Sequence, residues 1–207
     1  MSALQGSLFD GGEDIRIRSM ATARRIDMGQ GAWVEVIPEW IAGAAPLFEL
    51  LADTVPWKSE RRKMYDRTVD VPRLLAFYGE EEPLPHPVID EAKAALNEHF
   101  ASEAGGPFRS TGFCLYRDGR DGVAWHGDTI GRRSVRDTLV AIISLGTRRR
   151  MLLRPKGGGP AKKFEVGGGD LLVMGGSCQR TWEHSIPKTV RPIGPRISVQ
   201  MRPRGVT

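Results

Sequence analysis

From residue 113 to residue 202 the chain reads as eight short runs: FCLYR (113–117), VAWHG (123–127), TLVAIISL (138–145), MLLR (151–154), KFEV (163–166), LLVM (171–174), TWEHS (181–185) and RISVQMR (196–202). Each is cut from the next by glycine, proline or charge, which is the signature of strands rather than helices. Strands of this number and spacing suggest a jelly roll or a barrel. Gly157–Gly159 and Gly167–Gly169 read as turns between them, and no longer repeat is visible.

Upstream the period changes. Ile41, Ala45, Phe48 and Leu51 fall at helical intervals and predict a helix over 38–54. Ala94, Ala95 and Leu96 predict a second over 90–100, capped by Asp90. Residues 1–30 are polar and glycine-containing with no apolar period, so a flexible arm is expected there, with order beginning near Trp33. The expected fold class is α+β with a mainly β core: a single domain over 31–207, with N-terminal helices and a jelly roll over about 108–203.

A chain of 207 residues that is 40% hydrophobic buries one core and is short for two. Cys114 and Cys178 are its only cysteines, which argues against a disulfide framework or a zinc cluster and predicts reduced thiols. No stretch reaches the roughly 20 apolar residues of a membrane span, and Met1–Asp14 lacks a basic segment leading into an apolar one. A cytoplasmic monomer without membrane contact is the expectation. The formal charge of +5 favours an anionic partner, because each cation placed on a phosphate releases a condensed counterion.

The chemistry begins at His126-Gly127-Asp128. On a strand, residues two apart share a face, so imidazole and carboxylate converge while Gly127 adds no bulk. A third ligand would complete a metal site, and the remaining histidines are His86, His99 and His184. His86 lies between prolines in an acidic loop and His99 ends a helical run, whereas His184 sits in a strand-like stretch and is the best candidate. Two histidines and one carboxylate on one face, with other positions open, suit iron(II) and oxygen chemistry. Further on, RISVQMR alternates strictly: Ile197, Val199 and Met201 on one face, Arg196, Ser198, Gln200 and Arg202 on the other. An arginine on the metal-facing side can hold a dicarboxylate bidentately.

Taken in order, these stretches resemble the AlkB family. The residues that carry the likeness are Tyr116, Gly119 and His126-Gly127-Asp128; Ser144-Leu145-Gly146; Arg149-Arg150 with Leu152, Leu153 and Arg154; Gly169 to Met174 leading to Trp182, His184 and Pro187; and the Arg-x5-Arg spacing of Arg196 and Arg202. The resemblance covers about Val55 to Arg202. It implies a double-stranded β-helix, iron(II) bound by His126, Asp128 and His184, and 2-oxoglutarate bound through Tyr116, Arg196 and Ser198. Arg202 would act nearer the metal, since six strand residues span about 20 Å, longer than the cosubstrate. Cys114 and Ser198 stand where many relatives carry Asn, and Ile130 stands where an acidic residue often helps select the base, so base preference does not carry over.

The same resemblance makes 55–80 a nucleotide-recognition lid, with Tyr78 stacking a flipped base, Arg73 holding phosphate and Tyr65, beside Met64, filling the gap left by the base. Arg61-Arg62-Lys63, Arg132-Arg133 and Arg148-Arg149-Arg150 would form a basic rim. The implied reaction consumes O2 and 2-oxoglutarate, hydroxylates the carbon attached to a base nitrogen and releases it as formaldehyde. Alkylated DNA or RNA is the implied substrate, with DNA repair foremost. Two other readings stay open: an oxygenase of the same superfamily acting on RNA, protein or a small molecule, and a non-catalytic nucleic-acid binding module.

Overall fold

All eight runs form strands, and their period-two alternation divides the side chains between two cores. The computed structural model describes residues 14–64, 67–128 and 136–206, with the strand residues within 62–70 described by backbone alone. In chain order the elements are β1 (Arg16–Ile17), β2 (Arg24–Gly29), β3 (Ala32–Ile37), β4 (Ile41–Ala42), α1 (Ala44–Thr54), β5 (Lys58–Met64), β6 (Arg67–Tyr78) and α2 (Pro87–His99). There follow β7 (Phe108–Tyr116), β8 (Val123–His126), β9 (Val140–Gly146), β10 (Arg149–Pro155), β11 (Lys162–Val166), β12 (Asp170–Gly176), α3 (Cys178–Thr181), β13 (Trp182–Ile186) and β14 (Arg196–Pro203).

The larger sheet has eight strands in the order β2-β3-β12-β9-β14-β7-β6-β5, and the smaller has four, β11-β10-β13-β8. On β14, Ile197, Val199 and Met201 join Ala141, Ile143 and Leu145 of β9 beneath Leu47, Phe48 and Leu51 of α1 and Val88, Ile89, Ala92 and Leu96 of α2. The other face of the larger sheet contributes Cys114, Tyr116, Val140, Ile142, Leu172 and Met174, which meet Met151, Leu153, Val166, Trp182 and Ile186 of the smaller sheet. This is the jelly roll expected, with the helices covering the outer face of one sheet. The alternation of β14 therefore sends Arg196, Ser198, Gln200 and Arg202 into the space between the sheets. Ile143 is fully buried in the helix-side core, so Ile143→Ala is expected to cost about 2–5 kcal/mol. Urea unfolding should show it as a lower midpoint at unchanged slope, and a loss near zero would mean the helices are not part of a packed core.

Several upstream expectations are corrected. Residues 16–29 do not belong to a flexible arm: β2 is the outer strand of the larger sheet, paired antiparallel with β3. Only Met28 of β2 is buried, which is why no apolar period showed. Gly29, Gln30 and Gly31, with φ of 86°, 56° and 76°, make the tight turn that closes this hairpin. Residues 1–13 lie outside the described residues. The helix expected over 38–54 begins only at Ala44, because Glu39 and Gly43 take left-handed φ of 50° and 64°. Between them Ile41, expected on a helix face, is a strand residue paired with Ile17. α2 starts at Pro87 and is capped by His86, whose Nδ1 accepts from the Val88 N–H at 3.2 Å, not by Asp90. Asp90 lies in the first turn, where a carboxylate suits the positive end of the helix.

Within 55–80, β5 and β6 form a hairpin that extends the larger sheet beyond β7. Tyr65 lies outside the described residues, as do Ile130, Arg132 and Arg133, and nothing is described of the Arg62, Lys63 and Met64 side chains. No helix among the described residues is long and apolar enough to cross a membrane.

Candidate metal and cosubstrate site

β8 and β13 are hydrogen-bonded neighbours, and their register sets His126 directly opposite His184. The ring centroids are 4.2 Å apart. Asp128 lies just past the end of β8, so strand alternation alone does not place its carboxylate. Its backbone N–H donates to Gln179 Oε1 at 2.9 Å, which anchors the loop to α3. A Cβ at Gly127 would lie 3.1 Å from the Gln179 carbonyl oxygen and 3.4 Å from Lys156 Nζ, so glycine permits this close approach. One ligand atom from each of His126, Asp128 and His184 lies within 4.8 Å of the others. The other two histidines are elsewhere: His86 caps α2, and His99 Nε2 is 2.9 Å from Glu35 Oε1.

The protonation states suit metal binding. His126 Nδ1 is 2.9 Å from the Ala124 carbonyl oxygen, an acceptor, so Nδ1 carries the hydrogen and Nε2 is left for a metal. Burial pushes the His184 pKa down to about 3, which keeps this imidazole neutral. Burial alone would raise the Asp128 pKa, but the Arg202 guanidinium and the two imidazoles outweigh it and hold the carboxyl below its ordinary value. Arg202 Nη2 donates to Asp128 Oδ1 at 3.3 Å and to Gln200 Oε1 at 2.6 Å. Asp128 Oδ2 is buried without a hydrogen-bond partner.

Arg196 stands at the opposite end of β14, opposite Tyr116 on β7 and Gly146 on β9. Arg196 is 1% exposed; Nη2 donates to Ser144 Oγ at 2.7 Å, while Nε and Nη1 are buried without partners. The guanidinium carbon lies 5.2 Å from the centre of the Tyr116 ring. Burial, with the Cys114 thiol nearby, pushes the Tyr116 pKa up to about 12 against the pull of Arg196, so the phenol stays protonated. Between the two arginines, Gln200 Nε2 donates to Ser198 Oγ at 3.2 Å and to Cys114 Sγ at 3.3 Å. One cavity of about 810 Å³ is lined by the triad, Tyr116, Arg196, Ser198, Gln200 and Arg202. Arg196 and Arg202 thus serve different ends of it, as the length of the strand requires.

Sequence reasoning missed three supporting residues. Gln179 and Gln200 carry no motif, although Gln200 shared the polar face of its strand. Arg149, read as rim charge, is 2% exposed and donates to the carbonyls of Asp118, Asp121 and Pro187 behind Tyr116. Arg73, expected on phosphate, is turned into the cavity wall: Nη1 donates to the Gly122 carbonyl at 3.2 Å and Nε is buried. Tyr78 lines the cavity with its ring edge-on to Phe113, centroids 5.2 Å apart.

The sequence model of the family described as the 2OG-Fe(II) oxygenase superfamily matches residues 78–202. Alpha-ketoglutarate-dependent dioxygenase alkB homolog 3 of Bos taurus is 33% identical over 190 residues, covering 78% of this chain and 64% of that protein. The Homo sapiens counterpart is 32% identical over 187 residues, covering 77% and 63%. The chain belongs to the AlkB family of the 2OG-Fe(II) oxygenase superfamily. It spans less than two thirds of the length of those two relatives. DNA oxidative demethylase ALKBH2 of Arabidopsis thaliana is 26% identical over 222 residues, covering 89% of this chain and 70% of that protein. A solved structure of OsALKBH1 shares the fold with a TM-score of 0.58 at 12% identity, covering 87% of this chain and 100% of that one.

The residues of this AlkB-family chain fit the groups its superfamily is named for. Two imidazoles and a carboxylate with open positions suit iron(II). The unpartnered acceptor Asp128 Oδ2 and the unpartnered donors of Arg196 are the buried polar atoms that a metal ion and a carboxylate would satisfy.

Proposed function

We propose that this chain is an iron(II)- and 2-oxoglutarate-dependent oxygenase that removes alkyl groups from nucleic-acid bases. The observation that carries the reading is one cavity with the triad and its orphaned Asp128 Oδ2 at one end and the orphaned, cationic Arg196 at the other. Bound iron(II) would supply the coupling of O2 reduction to oxidative decarboxylation of 2-oxoglutarate and oxidation of the substrate. His126, Asp128 and His184 hold the metal. Arg202 donates to Asp128 Oδ1 and leaves Oδ2 as the acceptor that a metal would satisfy. The cationic Arg196, with Nε and Nη1 unpartnered, binds the distal carboxylate of the cosubstrate, and the protonated phenol of Tyr116 donates a further hydrogen bond. Burial of these groups excludes water from the reacting centre.

The nucleic-acid reading draws support from the relatives named for oxidative demethylation of DNA, from the basic charge, and from the β5–β6 hairpin, whose residues line the cavity. There Tyr78 offers a ring to a base, and the neighbouring Phe77 is 66% exposed. Tyr78→Ala is expected to weaken binding of a methylated oligonucleotide by about 1–3 kcal/mol while leaving the slope of log affinity against log salt unchanged. Arg73→Ala is likewise expected to leave that slope unchanged, because its guanidinium is committed to the cavity wall. Fluorescence anisotropy across a salt series reads both, and a flattened slope for Arg73→Ala would return Arg73 to the phosphate backbone.

The test of the function is mass spectrometry of methylated single- and double-stranded DNA and RNA oligonucleotides incubated with the protein, iron(II), ascorbate and 2-oxoglutarate. Loss of the methyl group with stoichiometric succinate and formaldehyde is expected. Turnover of 2-oxoglutarate uncoupled from every oligonucleotide would overturn the nucleic-acid reading and leave an oxygenase of another substrate.

A further inference from the structure

Arg73 lines the same cavity as the triad, Tyr116 and Arg196. The ladder between β6 and β7 sets Leu75 opposite Cys114 and Leu74 opposite Leu115, so Arg73 comes next, level with Tyr116. Tyr116 is itself opposite Arg196 on β14. One row across the larger sheet therefore reads Arg196, Tyr116, Arg73, a phenol between two guanidinium groups. Neighbouring strands lie about 4.8 Å apart, so the two arginine Cα atoms are separated by roughly 10 Å. Two long side chains can close that gap over one small anion.

The Arg73 side chain is held in place before any ligand arrives. Its Nη1 donates to the Gly122 carbonyl at 3.2 Å, and the Gly122 N–H donates in return to the Pro72 carbonyl at 2.9 Å. The acceptor of the guanidinium is neutral, so the bond fixes it without discharging it. Nε is buried and has no hydrogen-bond partner. Burial raises the Tyr116 pKa, and the charges of Arg196 and Arg73 both pull against it, so each cation is felt at the phenol. An anion reaching this end of the cavity would give the unpartnered donors of both arginines an acceptor. The row is also the buried one: Arg196 and Tyr116 are 1% and 2% exposed, whereas Phe77, four residues along β6, is 66% exposed. Such a place suits a small carboxylate rather than the backbone of a polymer.

We propose that Arg73 is a second cation for the distal carboxylate of 2-oxoglutarate, facing Arg196 across Tyr116. The proposal rests on the placement of that carboxylate at Arg196 set out above. It takes Arg73 out of nucleic-acid recognition and ties the cosubstrate to β6, a strand of the hairpin that also carries Phe77 and Tyr78.

The experiment titrates two 2-oxo acids into the manganese(II)-loaded protein by calorimetry: 2-oxoglutarate, and 2-oxopentanoate, which has the same carbon chain without the distal carboxylate. R73Q is expected to weaken 2-oxoglutarate on the order of tenfold, as loss of a hydrogen bond to a charged group does, and to leave 2-oxopentanoate unchanged. R73K keeps the charge but not the Nε donor, and should lose a fewfold for 2-oxoglutarate alone, so the contrast survives if R73Q is too unstable to titrate. General loss of structure would weaken both acids together. Equal weakening of the two would therefore make Arg73 a clamp on Gly122 and overturn the proposal. An unchanged 2-oxoglutarate affinity in R73Q beside a loss in R196K would also overturn it, while leaving the cosubstrate at Arg196. If neither variant changes 2-oxoglutarate binding, the placement of the carboxylate at Arg196 falls as well.

Discussion

His184→Ala is expected to reduce turnover by at least about a thousandfold and to abolish tight binding of iron(II). A two-residue remnant keeps one imidazole and one carboxylate, too few to hold the metal with the fixed open positions that oxygen chemistry requires. The loss is chemical rather than structural. His184 is 6% exposed and its imidazole lies between the sheets with the cavity on one side, so its removal enlarges a space that is already open. Circular dichroism and the urea midpoint of the metal-free variant should stay near those of the unsubstituted chain at neutral pH.

The same residue gives the metal-free protein a pH signature. An unfolded histidine binds a proton below about pH 6.5, whereas burial holds the folded His184 neutral until about 3. Between those values the unfolded state binds more protons, so stability is full above the upper limit and declines as pH falls through the window. The decline attributable to this group should be missing from His184→Ala. Metal affinity measured by calorimetry with manganese(II), together with urea midpoints over this pH range, checks both claims. Retained metal affinity and activity in the variant would show that His184 is not the third ligand.

Arg196→Lys is expected to raise the apparent KM for 2-oxoglutarate between about tenfold and more than a hundredfold, the equivalent of roughly 1.5–3 kcal/mol for a hydrogen bond to a charged group. The argument rests on geometry. Nη2 donates to Ser144 Oγ, and Nε and Nη1 are buried without partners, so the guanidinium beside the cavity keeps donors for a carboxylate. Lysine keeps the charge but offers a point donor that cannot serve Ser144 and a carboxylate together. The KM for the oligonucleotide should change little, because Tyr78 lies level with Met201, at the other end of β14 from Arg196. Direct titration of 2-oxoglutarate into manganese(II)-loaded protein supplies a readout independent of turnover. An unchanged cosubstrate dependence would make Arg196 a structural cation held by Ser144 and Tyr116.

The sequence by itself determined the strands from 113 to 202 and the two faces of β14. Each of these is written in contiguous residues, where a period of two or a spacing of two fixes which side chains share a face. Only tertiary structure decided which histidine completes the triad, because that depends on β13 lying beside β8 in a register that sets His184 against His126. It decided as well that Gln179 anchors Asp128, that Arg202 turns to Asp128 while Arg196 faces Tyr116, and that Arg73 enters the cavity wall. The weakly patterned β2 was invisible for the same reason: with one buried residue, it is held by its ladder to β3 rather than by a periodicity of its own. Alternation fixes the face a side chain takes, whereas the partner it meets there is set by long-range strand pairing, which no single segment encodes.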